Sequence, residues 1–225
     1  MKFVLIGDAL SPHLLKWAKE LSSQVDLLVV SSRGFLPDFD EFLPVKKRFE
    51  FQAQPGLLGW ITVFARVPSL GRWLALKDPD WINPHYLTSH GLLAILVRSL
   101  FRLRAQLVAS AWGSDVLLAP QRGRLQKILL KWILSNSALA TSDSRHMAQK
   151  MHHLGAHEVM VFPFGLDAMP VESTKDNLLF FSNRGLEPIY NPFRVLKIFE
   201  SIVHYWPNAR LVVANSGTLF DQMRE

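Results

Sequence analysis

Apolar positions along the chain fall into two recurring patterns, continuous runs of strand length and stripes at helical spacing. Lys2 to Ile6 and Val25 to Val30 are buried-strand runs, and between them Leu14, Trp17, Ala18 and Leu21 recur at i, i+3, i+4 and i+7. Pro12 suits the first turn of the helix this stripe predicts, over Pro12 to Leu21. A strand, a crossover helix and a second strand imply right-handed parallel pairing. The fold class expected is therefore α/β, a parallel sheet with flanking helices.

The stretch from Asn83 to Asp115 carries the sharpest signal. It reads as a loop, a buried helix, a strand over Leu107 to Ala111, and the polar loop Ala111-Trp112-Gly113-Ser114-Asp115. Ligands of a parallel sheet gather at the carboxyl ends of its strands, so this loop and the earlier one, His85 to His90, are expected on one rim. Residues 33 to 56 read as a loop-rich rim around one possible strand, Phe49 to Ala53. Leu57 to Lys77 reads as a core helix broken at Pro68, with Trp60, Phe64 and Trp73 among Arg66, Arg72 and Lys77. That mixture of aromatic and basic groups also suits peripheral contact with a membrane surface.

Further on, Leu125, Ile128, Leu129, Trp132 and Ile133 form an apolar stripe. Leu139 to Thr141 and Val159 to Phe162 read as strands around a helix capped at Ser142-Asp143-Ser144. Prolines and polar residues then mark a boundary, giving domains at 1–168 and 178–225 joined by a linker at 169–177. In the second, strands Leu178 to Phe181 and Leu211 to Ala214 flank a helix that starts at Asn191-Pro192 and carries Val195, Phe199, Ile202, Val203 and Trp206. This is an incomplete βαβ unit, too small for an independent core. One helix can cover one face of two parallel strands, so apolar surface is expected on the other.

Composition narrows the classes. The chain has 225 residues, 49% of them hydrophobic and 20% charged, as in globular proteins. Without cysteine there is no disulfide framework, thiolate metal site or cysteine nucleophile, and a reducing compartment such as the cytoplasm is expected. The N-terminal apolar run meets Gly7 and Asp8 before reaching signal-peptide length, and the run at Gly91 to Val97 falls far short of about 20 residues for a membrane span. The formal charge of +6 admits anionic partners, but the basic residues are dispersed over several helices without a nucleic-acid-binding signature. The turn after the first strand lacks GxGxxG, which excludes a dinucleotide fingerprint, and no GxSxG supports serine-hydrolase chemistry. His146, His152, His153 and His157 lack the spacing of paired metal ligands, so no metal is expected.

The segments SPHLLKWAKEL, HYLTSHGLL, AWGSDVLLAP, SDSRHMAQKM, PFGLD and NRGLEPIYNPFRVLKIFE, in this order, resemble the retaining GT-B glycosyltransferases grouped as family 4. The resemblance implies two Rossmann-like domains facing across a cleft, the first for the acceptor and the second for a nucleotide sugar. It implies transfer of that sugar from a nucleotide diphosphate to an acceptor hydroxyl with retention, without cofactor or metal. The chain would supply the first domain and the beginning of the second. The family's donor-binding stretch of paired glutamates would lie beyond Glu225.

On that resemblance, Gly7, Arg184, Tyr190 and Asn191 are candidate donor contacts. Arg184 offers a rigid fork to phosphate oxygens, and the helix beginning at Asn191-Pro192 offers free N–H groups to the same charge. His85, Trp112, Ser114 and Asp115 are candidate acceptor contacts, while Ser114 and Asp115 serve equally well as helix N-caps. Two positions depart from the usual family pattern: Trp112 stands where many members have histidine, and Tyr190 where many have lysine. The partners implied are a nucleotide sugar and a glycan or lipid-linked acceptor, with no nucleic acid, and with self-association or a partner chain through the incomplete second unit. The rival reading is a non-catalytic remnant or accessory binding module.

Overall fold

A computed structural model of the protein describes residues 1–52, 57–166 and 168–224, with the side chains of 57–63 outside the description. The chain divides into two compact units, Met1–Gly165 and Leu166–Glu225.

The first unit holds seven parallel strands: β1 (Lys2–Ala9), β2 (Asp26–Phe35), β3 (Arg48–Glu50), β4 (Trp81–Pro84), β5 (Gln106–Ser110), β6 (Leu139–Ser142) and β7 (Val159–Val161). Their order is β3-β2-β1-β4-β5-β6-β7, so the α/β, Rossmann-like expectation is met. Helices α1 (Pro12–Ser22), α2 (Leu57–Lys77), α3 (Leu92–Leu100), α4 (Ser114–Leu117), α5 (Arg124–Ser135) and α6 (Arg145–His153) accompany it. Alternation along β1 assigns the two faces. Val4 and Ile6 join a core with Leu70 and Leu74 of α2, Leu93 of α3 and Ile133 of α5, whereas Leu5 joins Leu14 and Ala18 of α1 and Phe39 on the other side.

Several local expectations are corrected. β1 and β2 run past Ile6 and Val30, because the Ser31 hydroxyl accepts the Ala9 N–H at 3.0 Å and the pairing continues through a register shift between Gly7 and Ala9. The loop between them and α2 contains two 3-10 turns and only the short β3; Ala53, the end of the strand expected there, lies outside the described residues. α2 is not broken at Pro68. Proline removes one hydrogen bond at a cost of about 3 kcal/mol, which burial of Val67, Leu70 and Leu74 on either side offsets. On α5 the inward face is Leu130, Ile133 and Leu134, while Leu125 and Ile128 are 65% and 61% exposed. The stripe counted from the sequence is thus displaced around the helix. Ser144 caps α6 as expected, its side chain accepting the Met147 N–H.

The second unit pairs β8 (Leu179–Ser182) in parallel with β9 (Arg210–Val213) around α7 (Pro192–Tyr205). Phe180 meets Phe199 of α7 at 5.7 Å between ring centroids, so the helix covers that face. On the opposite face Leu179, Phe181 and Val212 remain exposed, as one helix over two strands requires. Among the described residues no helix is long and apolar enough to cross a membrane.

Candidate functional site

Strand order reverses between β1 and β4, with β2 and β3 to one side and β5 to β7 to the other. In open parallel sheets the crevice for ligands opens at such a switch point, beyond the carboxyl ends of the strands. A cleft of about 240 Å³ lies there, lined by Asp8, Ser11 and Leu14 on the β1 side and by His85, Tyr86 and Trp112 at the ends of β4 and β5.

The segment after β4 is more constrained than a loop. His85 extends the ladder by donating its N–H to Ile6 O at 2.8 Å. Tyr86 then adopts φ 72° and ψ 93°, an uncommon conformation for a non-glycine residue, and starts a single π-helical turn over Leu87–Gly91. Both strain and π-turns concentrate at functional sites. The expected His85–His90 loop is thus a helical turn that delivers His90 back beneath His85, where its Nδ1 donates to His85 O at 2.6 Å.

His85 and Trp112 are brought together, with ring centroids 5.6 Å apart. They sit inside a larger aromatic cluster. Trp17 stands nearly perpendicular to His85 at 5.3 Å, His13 and Phe164 approach Trp112 at 5.2 and 5.4 Å, and Phe162 packs on Trp17 at 5.6 Å. Burial pushes the His85 pKa down to about 3, aided by the charge of nearby His90, so the ring is neutral at physiological pH. His90 is also lowered by burial, against the opposing pull of its bond to His85 and of Asp8. Trp112 remains half-buried and contributes a wall of the cleft.

Asp115 is fully buried and bound on both carboxylate oxygens. One carboxylate oxygen accepts the Leu87 N–H at 2.9 Å and the other accepts the Trp112 N–H at 3.0 Å. Burial raises its pKa above the usual carboxylate range despite these and further backbone donors at Asp115 and Val116. The residue ties the two rim segments together. Ser114 performs a similar task nearer the surface, its hydroxyl 3.1 Å from the Tyr86 hydroxyl. Gly113, at φ 103°, supplies the left-handed turn before α4.

Gly7 lies within β1 and not at its end. A Cβ there would stand 2.8 Å from Leu14 Cδ1, so close packing of α1 on the sheet accounts for the glycine. Asp8, next along, forms an ion pair with Arg33, whose Nε donates to it at 2.9 Å.

In the second unit the three remaining candidates cluster. The Arg184 guanidinium stacks over the Tyr190 ring at 4.4 Å, and among the described residues it has no acidic partner. Tyr190 closes a 3-10 turn, after which Asn191 takes a left-handed conformation (φ 48°, ψ 57°) and α7 begins without a side-chain cap. Tyr190 therefore provides a platform for the Arg184 cation. Asp167, in the expected PFGLD motif, lies outside the described residues.

Sequence reasoning passed over Asn83, Ser110 and Thr141, and also His13, Trp17, Phe162 and Phe164 as ring partners. The first three carried a readable signal: each is polar in an otherwise apolar strand, with Ser110 in register with Thr141 and with His85, two residues beyond Asn83. The aromatic cluster, drawn from four chain segments, had none. Among the described residues no group of three or more metal-ligating side chains converges.

Comparison with known proteins agrees with this geometry. The model of the glycosyl transferase 4-like family matches residues 2–144. The fold resembles the apo form of the lipopolysaccharide outer core galactosyltransferase WaaB, with a TM-score of 0.66, 12% identity, and coverage of 100% of this chain and 63% of that one. It also resembles a UDP-N-acetylglucosamine 2-epimerase from Rickettsia bellii (TM-score 0.59, 12% identity, 100% and 64% coverage) and sucrose-phosphate synthase from Thermosynechococcus elongatus (TM-score 0.59, 12% identity, 96% and 71% coverage). The chain thus spans less than two thirds of the length of the first two. No curated protein sequence matches it. An epimerase among the neighbours shows that the fold alone does not choose the reaction. The family match over residues 2–144, which hold β1 to β6 of the sheet, does assign the chain, which belongs to the glycosyl transferase 4-like family and has the fold of the GT-B glycosyltransferases.

Proposed function

We propose that this protein transfers a sugar from a nucleotide diphosphate sugar to an acceptor hydroxyl with retention, and that the first unit binds the acceptor. The observation that carries the reading is the cleft at the β1–β4 switch point, walled by Trp112 and His85, in a chain of this family. An indole face suits the apolar face of a sugar ring or of a lipid-linked acceptor. At about 240 Å³ the cleft is below the ~300–1,000 Å³ usual for drug-sized ligands, a scale suited to one sugar ring.

The donor side requires groups that stabilise negative charge as the diphosphate departs and positive charge grows on the sugar. Arg184, oriented by Tyr190, and the uncapped N-terminus of α7 after Asn191 are suited to phosphate oxygens. Neighbouring folds whose names include UDP-N-acetylglucosamine support a nucleotide-sugar donor. The reading invokes neither a metal nor a cofactor, and it includes a cytoplasmic location with peripheral contact at the inner face of the membrane as a part still to be tested. The test is release of nucleoside diphosphate from UDP-, GDP- and ADP-hexoses by the full natural protein containing these residues. Acceptor-dependent release is expected with at least one donor, and none with any of them overturns the reading.

A further inference from the structure

A chain of buried polar groups runs across three strands to His85. The Thr141 hydroxyl donates to Ser110 Oγ at 2.8 Å, and Asn83 Nδ2 donates both to Ser110 Oγ at 2.8 Å and to Val108 O at 2.7 Å. Val108 O can only accept, so the amide nitrogen of Asn83 must face it and the amide oxygen is turned the other way. That oxygen lies 3.1 Å from His85 Nε2. An oxygen that only accepts requires a donor opposite it, so Nε2 carries the hydrogen.

The neutral ring has one hydrogen to place. With Nε2 protonated, Nδ1 is left as a bare lone pair, and Nδ1 is the one buried side-chain polar atom without a partner among the described residues. An unmet buried acceptor is costly, and such atoms in folded proteins call for an explanation. The rings of Trp17 and Trp112 flank His85 with centroids at 5.3 and 5.6 Å, and neither indole donates to Nδ1. His85 itself borders the cleft at the switch point.

We propose that His85 Nδ1 accepts a hydrogen bond from a hydroxyl of the bound glycoside, and that Asn83 is the positioning residue that keeps Nδ1 an acceptor by holding the hydrogen on Nε2. The identity of the ligand as a sugar rests on the transferase reading; the tautomer does not. A lone pair in this position admits a neutral hydroxyl and repels phosphate or carboxylate oxygens, which are acceptors themselves. A ring that takes a proton only near pH 3 is a poor base at neutral pH, so it orients the hydroxyl without removing its proton. The device is one of specificity: it selects a hydroxyl face of an acceptor over an anionic one.

Long-range proton–nitrogen correlation spectra of the protein with ¹⁵N-labelled histidine test this. For His85 we expect a protonated Nε2 and a bare Nδ1, unchanged from about pH 5 to 8, where an ordinary histidine titrates. A protonated Nδ1, in either a neutral or a charged ring, overturns the proposal. In N83D the carboxylate favours the doubly protonated ring, so Nδ1 should gain a proton near neutral pH; the wild-type spectrum decides the tautomer even if this variant folds poorly. Methyl α- and β-glycosides of glucose, galactose and N-acetylglucosamine are then titrated to their solubility limits. A saturable upfield shift of the Nδ1 signal is expected with at least one, and no movement with any of them overturns the ligand contact. The correct tautomer and a saturable shift without any sugar transfer would overturn the transferase reading alone, whereas transfer with a protonated Nδ1 would overturn this inference alone.

Discussion

Asp115 Oδ2 accepts the Leu87 N–H at 2.9 Å, so a carboxylate at the start of α4 holds the first residue of the π-helical turn after β4. With Oδ1 on the Trp112 N–H, one buried side chain sets the separation of the two segments that carry His85 and Trp112. D115A would leave two buried N–H groups without acceptors, at a cost of roughly 2–4 kcal/mol. Urea denaturation should show that loss. A shift as small as that of S114A, whose half-exposed hydroxyl bond is worth about 0.5–1.5 kcal/mol, would place Asp115 outside the framework of the rim.

Gly7 should behave as a packing residue. G7A forces a methyl group to within 2.8 Å of Leu14 Cδ1, and overpacking of this kind costs about 1–3 kcal/mol. L14A alone opens a cavity costing about 2–5 kcal/mol. In the double variant the new methyl enters that cavity, so the combined loss should fall short of the sum by roughly 0.5–3 kcal/mol. Strict additivity in a double-mutant cycle would leave the glycine to be explained by something other than α1.

The sheet itself was legible because parallel strands buried on both faces read as unbroken apolar runs: Val4–Ile6, Leu27–Val30 and Leu107–Ala109 announce themselves. What lay outside the pattern was contact between distant segments. Asp115 offered equal grounds as a ligand contact and as a cap; no side chain caps α4, and the carboxylate instead takes the N–H groups of Trp112 and of Leu87, which the strained Tyr86 folds back. Leu125 and Ile128 fit a helical stripe as well as Leu130 does, but the arc α5 presents to the core depends on α3 and the π-turn beside it. Trp112 was readable as a wall, whereas the rings of His13 and Phe164 that hold it come from segments whose meeting no local period records.

Trp112 should govern acceptor affinity more than donor affinity. Loss of the indole in W112A removes a stacking surface worth about 0.5–1.5 kcal/mol beyond its buried area. The acceptor KM should rise by roughly tenfold while the donor KM stays within about twofold. W112F keeps a ring against His13 and Phe164 and should retain most of the affinity. Steady-state kinetics with each substrate varied in turn separates the two effects, and an equal rise in both KM values would contradict an acceptor wall.

Arg184 and Tyr190 make a paired prediction in the second unit. The guanidinium lies 4.4 Å from the ring centroid and is exposed, a setting in which cation–π contact is worth about 0.5–1 kcal/mol. If the ring orients the fork toward a diphosphate, Y190L weakens UDP binding by roughly two- to fivefold, and Y190F leaves it unchanged. R184K keeps the charge but loses the two-pronged geometry, so it should bind less well than wild type. Titration calorimetry with UDP reads these differences, and wild-type affinity in R184A would remove Arg184 from the donor site.

Buried histidines give stability a definite pH dependence. In the folded protein the His85 pKa falls to about 3, whereas an unfolded chain takes up that proton near the ordinary value of 6.5. Between those limits the unfolded state binds more protons, so the stability contributed by neutral His85 is complete above about pH 6.5 and is lost as pH falls toward about 3. The slope from one such group is at most ~1.4 kcal/mol per pH unit. His90, also lowered by burial, acts in the same direction. Asp115 acts in the opposite sense: its raised pKa stabilises the acid side and that contribution is lost as pH rises through its folded value. Urea midpoints measured from about pH 7.5 down to about pH 4.5 should therefore fall steadily from near pH 6.5. H85Q should flatten that fall by up to one proton's worth; the same slope in H85Q and wild type would mean that His85 titrates freely and is not held neutral at the rim.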